Sequence, residues 1–329
     1  MGRTVMKTLT TTAILALSTG AALADGHAQA WDMPMAYAAS NFHSEMGVEF
    51  ADKVRDYTDG AIDITVHAGG SLYGGDEIKR AVQTNQVPIG ERLMSAHANE
   101  SPILAWDNVP FVATTFDENE ALWQAAKPAV QEELEGQNLH VLYTCPWPGQ
   151  GFYFNKAVAS SEDTQGVKFR SYNTATATFA EELGMVPVQV EAAELSQALA
   201  TGVAEAFISS GATGYDRKVW EQLSHYYKVN AWMPRNYVVV NKEVWDGLDP
   251  AVQEGLTKAA DETAEACRAK SEELTEFYYD ELEKNGMTVT DADGTFADEL
   301  QGIGTKMTEQ WLEETGEAGQ AVLDAYQGG

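Results

Sequence analysis

The sequence predicts an α/β protein of about two domains, and three observations carry that reading. The chain has 329 residues, and domains usually hold ~100–200. Strand-like and helix-like segments alternate from Trp31 to Ser209, the pattern of α/β layers, here expected with mostly parallel strands. A long stretch after Pro250 contains only one glycine, Gly255, and no further proline up to Glu283. No Pro/Ser-rich linker separates the halves, so the chain is expected to cross between domains more than once.

The elements follow from local pattern. Trp31 to Tyr37 reads as a first strand. His43 to Thr58 places Met46, Phe50 and Val54 on one helical stripe and stops at Gly60. Ile62, Ile64 and Val66 alternate with polar residues as in a strand. After the glycine-rich turn at Gly69 to Gly75, Asp76 is expected to cap a helix reaching about Thr84. Val87 to Gly90 reads as a short buried strand, and Leu139 to Cys145 and Val167 to Arg170 as others. Asp249-Pro250 is a helix start. A helix from there to Glu283 would be on the order of 45 Å long, long enough to touch two domains, with a break near Gly255 or Cys267 as the alternative. Met287 to Thr290 suggests a late strand, and Thr295 to Tyr326 a final helical region.

Composition excludes whole classes of function. The formal charge is −29, from 50 acidic and 21 basic side chains. Nucleic-acid binding needs clustered Lys and Arg, and an anionic membrane surface would repel such a chain. The N-terminus has Arg3 and Lys7, an apolar centre at Ala13 to Leu17, and Ala22-Leu23-Ala24 before Asp25. This is the pattern of a secretory signal peptide over residues 1–24, cleaved after Ala24. An exported, periplasmic protein that is not itself membrane-embedded is expected. Export permits a disulfide between Cys145 and Cys267, but their separation of 122 positions favours two buried free thiols. No Cys/His spacing suggests a metal site.

Enzyme signatures are missing. There is no G-x-S-x-G, H-E-x-x-H or G-x-x-x-x-G-K. Gly149-Gln150-Gly151 begins like a dinucleotide loop, but Phe154 stands where the third glycine belongs. Gly302-Ile303-Gly304 fails in the same way at Met307. Arg170 is the cation that stands out. It closes the strand in Gly166-Val167-Lys168-Phe169-Arg170, where α/β folds place ligands, and a guanidinium there can hold a carboxylate through two parallel hydrogen bonds.

The ordered segments together resemble the solute-binding proteins of TRAP (tripartite ATP-independent periplasmic) transporters, the group labelled C4-dicarboxylate binding. The segments are Phe42-His43 with Phe50-Ala51 and Val54; Gly60-Ala61-Ile62-Asp63-Ile64; Gly70-Ser71-Leu72; Gly75 to Gly90; and Asn108-Val109-Pro110-Phe111. Asp163 to Arg170, then Glu194-Leu195 with Ala198-Leu199 and Thr201-Gly202-Val203, and finally Asn241-Lys242 with Trp245 and Leu248 complete the series. The resemblance implies a two-lobed periplasmic-binding-protein fold with a hinge, a central cleft and a long helix spanning both lobes. Lobe I is expected at 25–147 plus roughly 240–262, and lobe II at 148–239 plus roughly 263–329. It also implies a carboxylate clamp at Arg170, no cofactor, and membrane subunits as partners of a protein expected to be monomeric. Gln150 stands where many members carry a second arginine. That uncharged amide, near Trp147 and Phe152, argues for an aromatic or apolar monocarboxylate, or a hydroxy or keto acid, rather than a dicarboxylate. Further candidate ligand contacts are Asn41 and Phe42 in the first loop, Glu91 after its strand, and Asn173 after Arg170. Ser209, Ser210 and Thr213 follow the Ala206 to Ile208 strand, and Trp232 and Asn236 precede Tyr237 to Val240. Capture would proceed by lobe closure around an organic acid. On the sequence, a secreted enzyme on the same frame and a sensory ligand-binding protein stay open as alternatives.

Overall fold

The computed structural model describes Met1 and residues 28–328; the proposed signal peptide lies outside them but for Met1. The first lobe opens with β1 (Gln29–Pro34), α1 (Phe42–Tyr57) and β2 (Ile62–His67), and continues with α2 (Ile78–Gln83), β3 (Ile89–Leu93), α3 (Phe116–Gly136) and β4 (Leu139–Pro146). Asn41 caps α1 by accepting from the His43 amide, and the α1 stripe Phe50 and Val54 is buried with Trp31, Ile62 and Ile64. α2 begins at Ile78 after Glu77, with no side-chain cap, so Asp76 does not play the capping role expected of it.

The second lobe contains β5 (Gly151–Phe154), β6 (Lys168–Ser171), α4 (Thr174–Glu182), β7 (Val186–Gln189), α5 (Leu195–Ala200), β8 (Ala206–Ser209), α6 (Gly211–Asp216) and β9 (His225–Lys228). The chain then returns through β10 (Arg235–Asn241) and α7 (Lys242–Asp246) to α8 (Pro250–Lys284), and ends with β11 (Thr288–Asp291), α9 (Gly294–Thr315) and α10 (Glu317–Gln327). The strands form a pair β1-β2, a three-stranded sheet β3-β10-β4 and a six-stranded sheet β11-β9-β5-β8-β6-β7. The expectation of mostly parallel strands holds only in part. β10 arrives from the far lobe and runs antiparallel to both β3 and β4, and β5 runs antiparallel to β8 and β9.

Two connecting segments form the hinge and bond to each other. Trp147 N donates to the Pro234 carbonyl at 2.8 Å, Gln150 N donates to the Trp232 carbonyl, and Ala231 N donates to the Gln150 carbonyl, the last two at 3.0 Å. Gly151 is needed here, because a Cβ would lie 2.3 Å from the Tyr227 carbonyl oxygen. Gly149 instead makes room for the Asn230 side chain, whose Oδ1 would lie 2.1 Å from a Cβ there.

The third crossing is α8, one unbroken helix of 35 residues, about 50 Å long at ~1.5 Å per residue. Gly255 does not break it, because the glycine faces the Tyr57 carbonyl so closely that a Cβ would sit 2.5 Å away. Leu256, Ala259 and Ala260 pack into the first lobe, and Tyr279 and Leu282 into the second. Between them Cys267 is disulfide-bonded to Cys145 at the end of β4, which corrects the expectation of free thiols. Sequence separation was a poor guide, since the strand end and the helix midpoint pass with their Cα atoms 5.7 Å apart, inside the usual disulfide range.

Two expected boundaries also shift. β10 pairs with the first lobe from Arg235 onward, before the expected crossing near 240. The expectation that the chain after about 263 lies on the second lobe fails for α10. Val322 and Leu323 pack with Leu122 and Trp123 of α3, after Gly316 at φ 57° turns the chain between α9 and α10. No helix among the described residues is long and apolar enough to cross a membrane.

The disulfide closes a large loop of chain, so replacing both Cys145 and Cys267 by Ser should cost ~2–5 kcal/mol of stability. Thermal melts of the oxidised protein and the double variant check this; equal midpoints would show that the bond does not stabilise the fold.

Candidate functional site

The ends of three neighbouring strands define one wall of a cleft between the lobes. β8, β6 and β7 lie side by side and parallel, so their carboxyl ends share an edge, the usual ligand position in such sheets. Ser209 ends β8, Arg170 lies in β6, and Glu191 follows β7 two residues on; all three line the cleft. Arg170 is only 3% exposed. Its Nε donates to the Val190 carbonyl at 2.9 Å, and Tyr172 lies under the guanidinium, 5.1 Å from its ring centre. Among the described residues no carboxylate lies within ion-pair distance of it. Burial pushes its pKa down to about 10, a measure of how poorly this charge is compensated by the protein.

The hinge provides the floor through Trp147, Gln150 and Pro234, and the first lobe provides Tyr37, Arg92 and Leu93. Trp147 is held by its Nε1, which donates to Asn236 Oδ1 at 2.8 Å, and its ring meets Tyr37 edge-on at 4.7 Å. Gln150 spends its amide within the protein: Nε2 donates to Pro148 O at 2.9 Å, and Oε1 accepts from Tyr172 at 3.2 Å. Across the cleft, Arg92 Nη2 donates to both carboxylate oxygens of Glu191 at 3.0 Å. Burial opposes the Arg92 charge, but Tyr37 and the Glu191 carboxylate beside it leave its pKa above the ordinary value. About 430 Å³ of atom-free space, open solvent at the mouth included, lies between these side chains.

A two-lobed frame with a buried arginine facing an interlobe cleft is the geometry of a binding protein, and comparison with known proteins agrees. Residues 35–315 match the family model described as bacterial extracellular solute-binding protein, family 7. The chain belongs to this family. It is 66% identical, with a TM-score of 0.91, to a marine metagenome TRAP solute-binding protein described as specific for pyroglutamate, covering 92% of this chain and 99% of that one. DctP6 of Bordetella pertussis, an extracytoplasmic solute receptor binding pyroglutamic acid, is 42% identical with a TM-score of 0.90, covering 92% and 100%. The C4-dicarboxylate-binding periplasmic protein DctP of Rhodobacter capsulatus is 27% identical, covering 80% of this chain and 77% of that protein. The protein is thus a solute-binding protein of the TRAP kind, in a family described as extracellular.

Within this solute-binding protein, the expected contacts divide into three groups. Arg170, Gln150, Trp147, Ser209 and Thr213 line the cleft, with Ser209 Oγ donating to Thr213 Oγ1 at 2.8 Å. Asn41 and Asn173 instead join the lobes beside it: Asn41 Nδ2 donates to Asp216 at 2.6 Å, and Asn173 Nδ2 to Ser95 Oγ at 3.1 Å. Phe42, Phe152, Ser210, Trp232, Glu91 and Asn236 are buried and are not part of the lining. Phe152 packs among Phe154, Phe169, Phe179 and Phe296, Phe42 against Trp147, and Trp232 donates to the Tyr172 hydroxyl at 3.0 Å. Asn236 supports Trp147 and donates to Glu91. His43 lies beside the two sulfurs, but these are bonded to each other and offer no thiolate to a metal.

Sequence reading missed Tyr37, Arg92, Tyr172 and Glu191. Its strand stopped at Gly90, whereas β3 runs on through Glu91 and Arg92 to Leu93. The signal was the apolar Leu93-Met94 that follows, which shows the charged pair to be enclosed rather than terminal.

Burial pushes the Glu91 carboxyl up to about 8, against the pull of the Asn236 amide and the Arg92 charge. Folded Glu91 therefore keeps its proton from the unfolded value, about 4.3, up to that pH, while the unfolded chain has lost it. Stability should fall as pH rises through this window, by up to ~1.4 kcal/mol per pH unit from this group. Denaturant unfolding of wild type and Glu91→Gln at about pH 5 and about pH 8 should show the variant gaining on wild type at the higher pH. A constant difference would mean that Glu91 is ionised throughout.

Proposed function

We propose that this chain captures a small cyclic monocarboxylate of the pyroglutamate class and delivers it to the membrane subunits of a TRAP transporter. The observation that carries this reading is the Arg170 guanidinium, buried at the strand ends with no carboxylate among the described residues paired to it. An anionic guest supplies the missing charge. With Nε engaged by Val190, both Nη groups face a carboxylate in the two-bond arrangement that arginine favours. Trp147 and Tyr37 give a flat apolar wall suited to a ring, and the neutral Gln150 withholds the second charge that a diacid would use at that position. Two relatives above 40% identity are described as binding pyroglutamate or pyroglutamic acid, which supports the same ligand class here.

Binding and closure are coupled. Water leaves the cleft as the lobes meet, and the ion pair strengthens in the drier surroundings; the acid closes the protein because it binds the closed form more tightly. We read the protein as a carrier without catalysis. Ser209 and Thr213 are bonded to one another, and among the described residues the cleft lining has neither histidine nor cysteine to activate them. It is read as a monomer, exported to the periplasm after cleavage behind Ala24.

Calorimetric titration with L-pyroglutamate tests the reading, with binding at a single site expected. Arg170→Ala should weaken it by ~2–5 kcal/mol without lowering the melting temperature of the ligand-free protein. Wild-type protein that does not bind pyroglutamate would refute the ligand class, and an unchanged affinity in the variant would refute the clamp.

A further inference from the structure

Three charged side chains line the cleft: Arg170, Arg92 and Glu191. They are not equivalent. Arg92 is 5% exposed and comes from the first lobe on β3, whereas the Glu191 side chain is 28% exposed and comes from the second lobe after β7. One terminal nitrogen of Arg92 satisfies both oxygens of Glu191. This contact spans the two lobes and cancels one positive charge where the carboxylate clamp does not reach. Arg92 Nε is buried without a partner among the described residues. A buried donor left unsatisfied is costly, and here it belongs to a side chain of the cleft wall.

We propose that Arg92 and Glu191 together set the charge specificity of the site, leaving the cleft with one net positive charge and a free Arg92 donor, so that it selects a monoanion carrying a neutral hydrogen-bond acceptor over a dianion. This inference rests on the monocarboxylate reading above and adds its cause. Two arginines facing one cleft would by themselves suit a diacid. Glu191 reverses that preference, since a second carboxylate on the ligand would have to displace Glu191 from Arg92 or lie against it. A neutral acceptor such as a lactam carbonyl meets no such repulsion and can take the bond Arg92 Nε offers. The other ionisable groups close by do not alter the balance. Glu91 holds its proton near neutral pH, with a value of about 8, and burial keeps His43 well below its ordinary value, hence neutral.

The test compares wild type with Glu191→Gln, which keeps the shape and removes the charge, using L-pyroglutamate as monoanion and glutarate as dianion. Affinities are measured by calorimetry on the mature chain. The glutarate-to-pyroglutamate affinity ratio should rise ~10-fold or more in the variant. General loosening of the cleft would weaken both ligands and leave the ratio in place. Arg92→Gln moves charge the other way and should lower the same ratio, which keeps the proposal testable if one variant folds poorly. Wild-type binding of pyroglutamate with an unchanged ratio in Glu191→Gln would overturn this inference alone. Wild type that prefers glutarate would overturn both it and the monocarboxylate reading.

Discussion

The structure depends on the cost of burying a positive charge. Arg170 is enclosed by strand ends and an aromatic ring and engages a single backbone carbonyl through Nε. Desolvating a guanidinium without a partner opposes folding, and most buried cations in this chain avoid it. Arg235 has Glu120, Asn119 and Thr144 around it, and Arg92 has Glu191. The contrast with Arg235 marks Arg170 as the proposed clamp more clearly than burial does, since both are almost fully enclosed.

The surrounding fold keeps this charge between the two lobes. Two hydrogen-bonded connecting segments and one long helix join the lobes, and the Cys145–Cys267 disulfide ties the end of β4 to the middle of that helix. The disulfide lies two residues before Trp147, so the cleft floor is anchored beside the crossing of β4 and α8. Polar contacts join the lobes around it, Asn41 to Asp216, Asn173 to Ser95 and Arg92 to Glu191. Such bonds exchange for water at modest net cost, which suits the closure and release proposed for the cleft.

Much of this was legible in the sequence. Periodicity located α1 and β2, and Asp249-Pro250 marked the start of α8 within a residue. The position of Arg170 at a strand end followed from Val167 and Phe169. The rest depended on tertiary proximity that local pattern does not encode. Cys145 and Cys267 meet only because β4 and α8 cross. Phe42, Phe152 and Trp232 look like ligand platforms from their neighbours in the chain, yet their rings fill the core. Arg92 was overlooked because the strand was ended at Gly90 and Glu91 alone was taken as a contact after it, and its meaning appears only when Glu191 arrives from the other lobe. Gln150 lines the cleft as expected of its position in the chain, but its amide is bonded to Pro148 and Tyr172, and the second arginine of the cleft comes from β3.

The most direct measurement of the central claim is a crystal structure of the mature protein with L-pyroglutamate. The account predicts the ligand carboxylate with its two oxygens ~2.7–2.9 Å from the Arg170 Nη atoms, the ring against Trp147, and the Arg92–Glu191 pair intact. A ligand whose carboxylate sits elsewhere, with Arg170 contacting only water or protein, would contradict it.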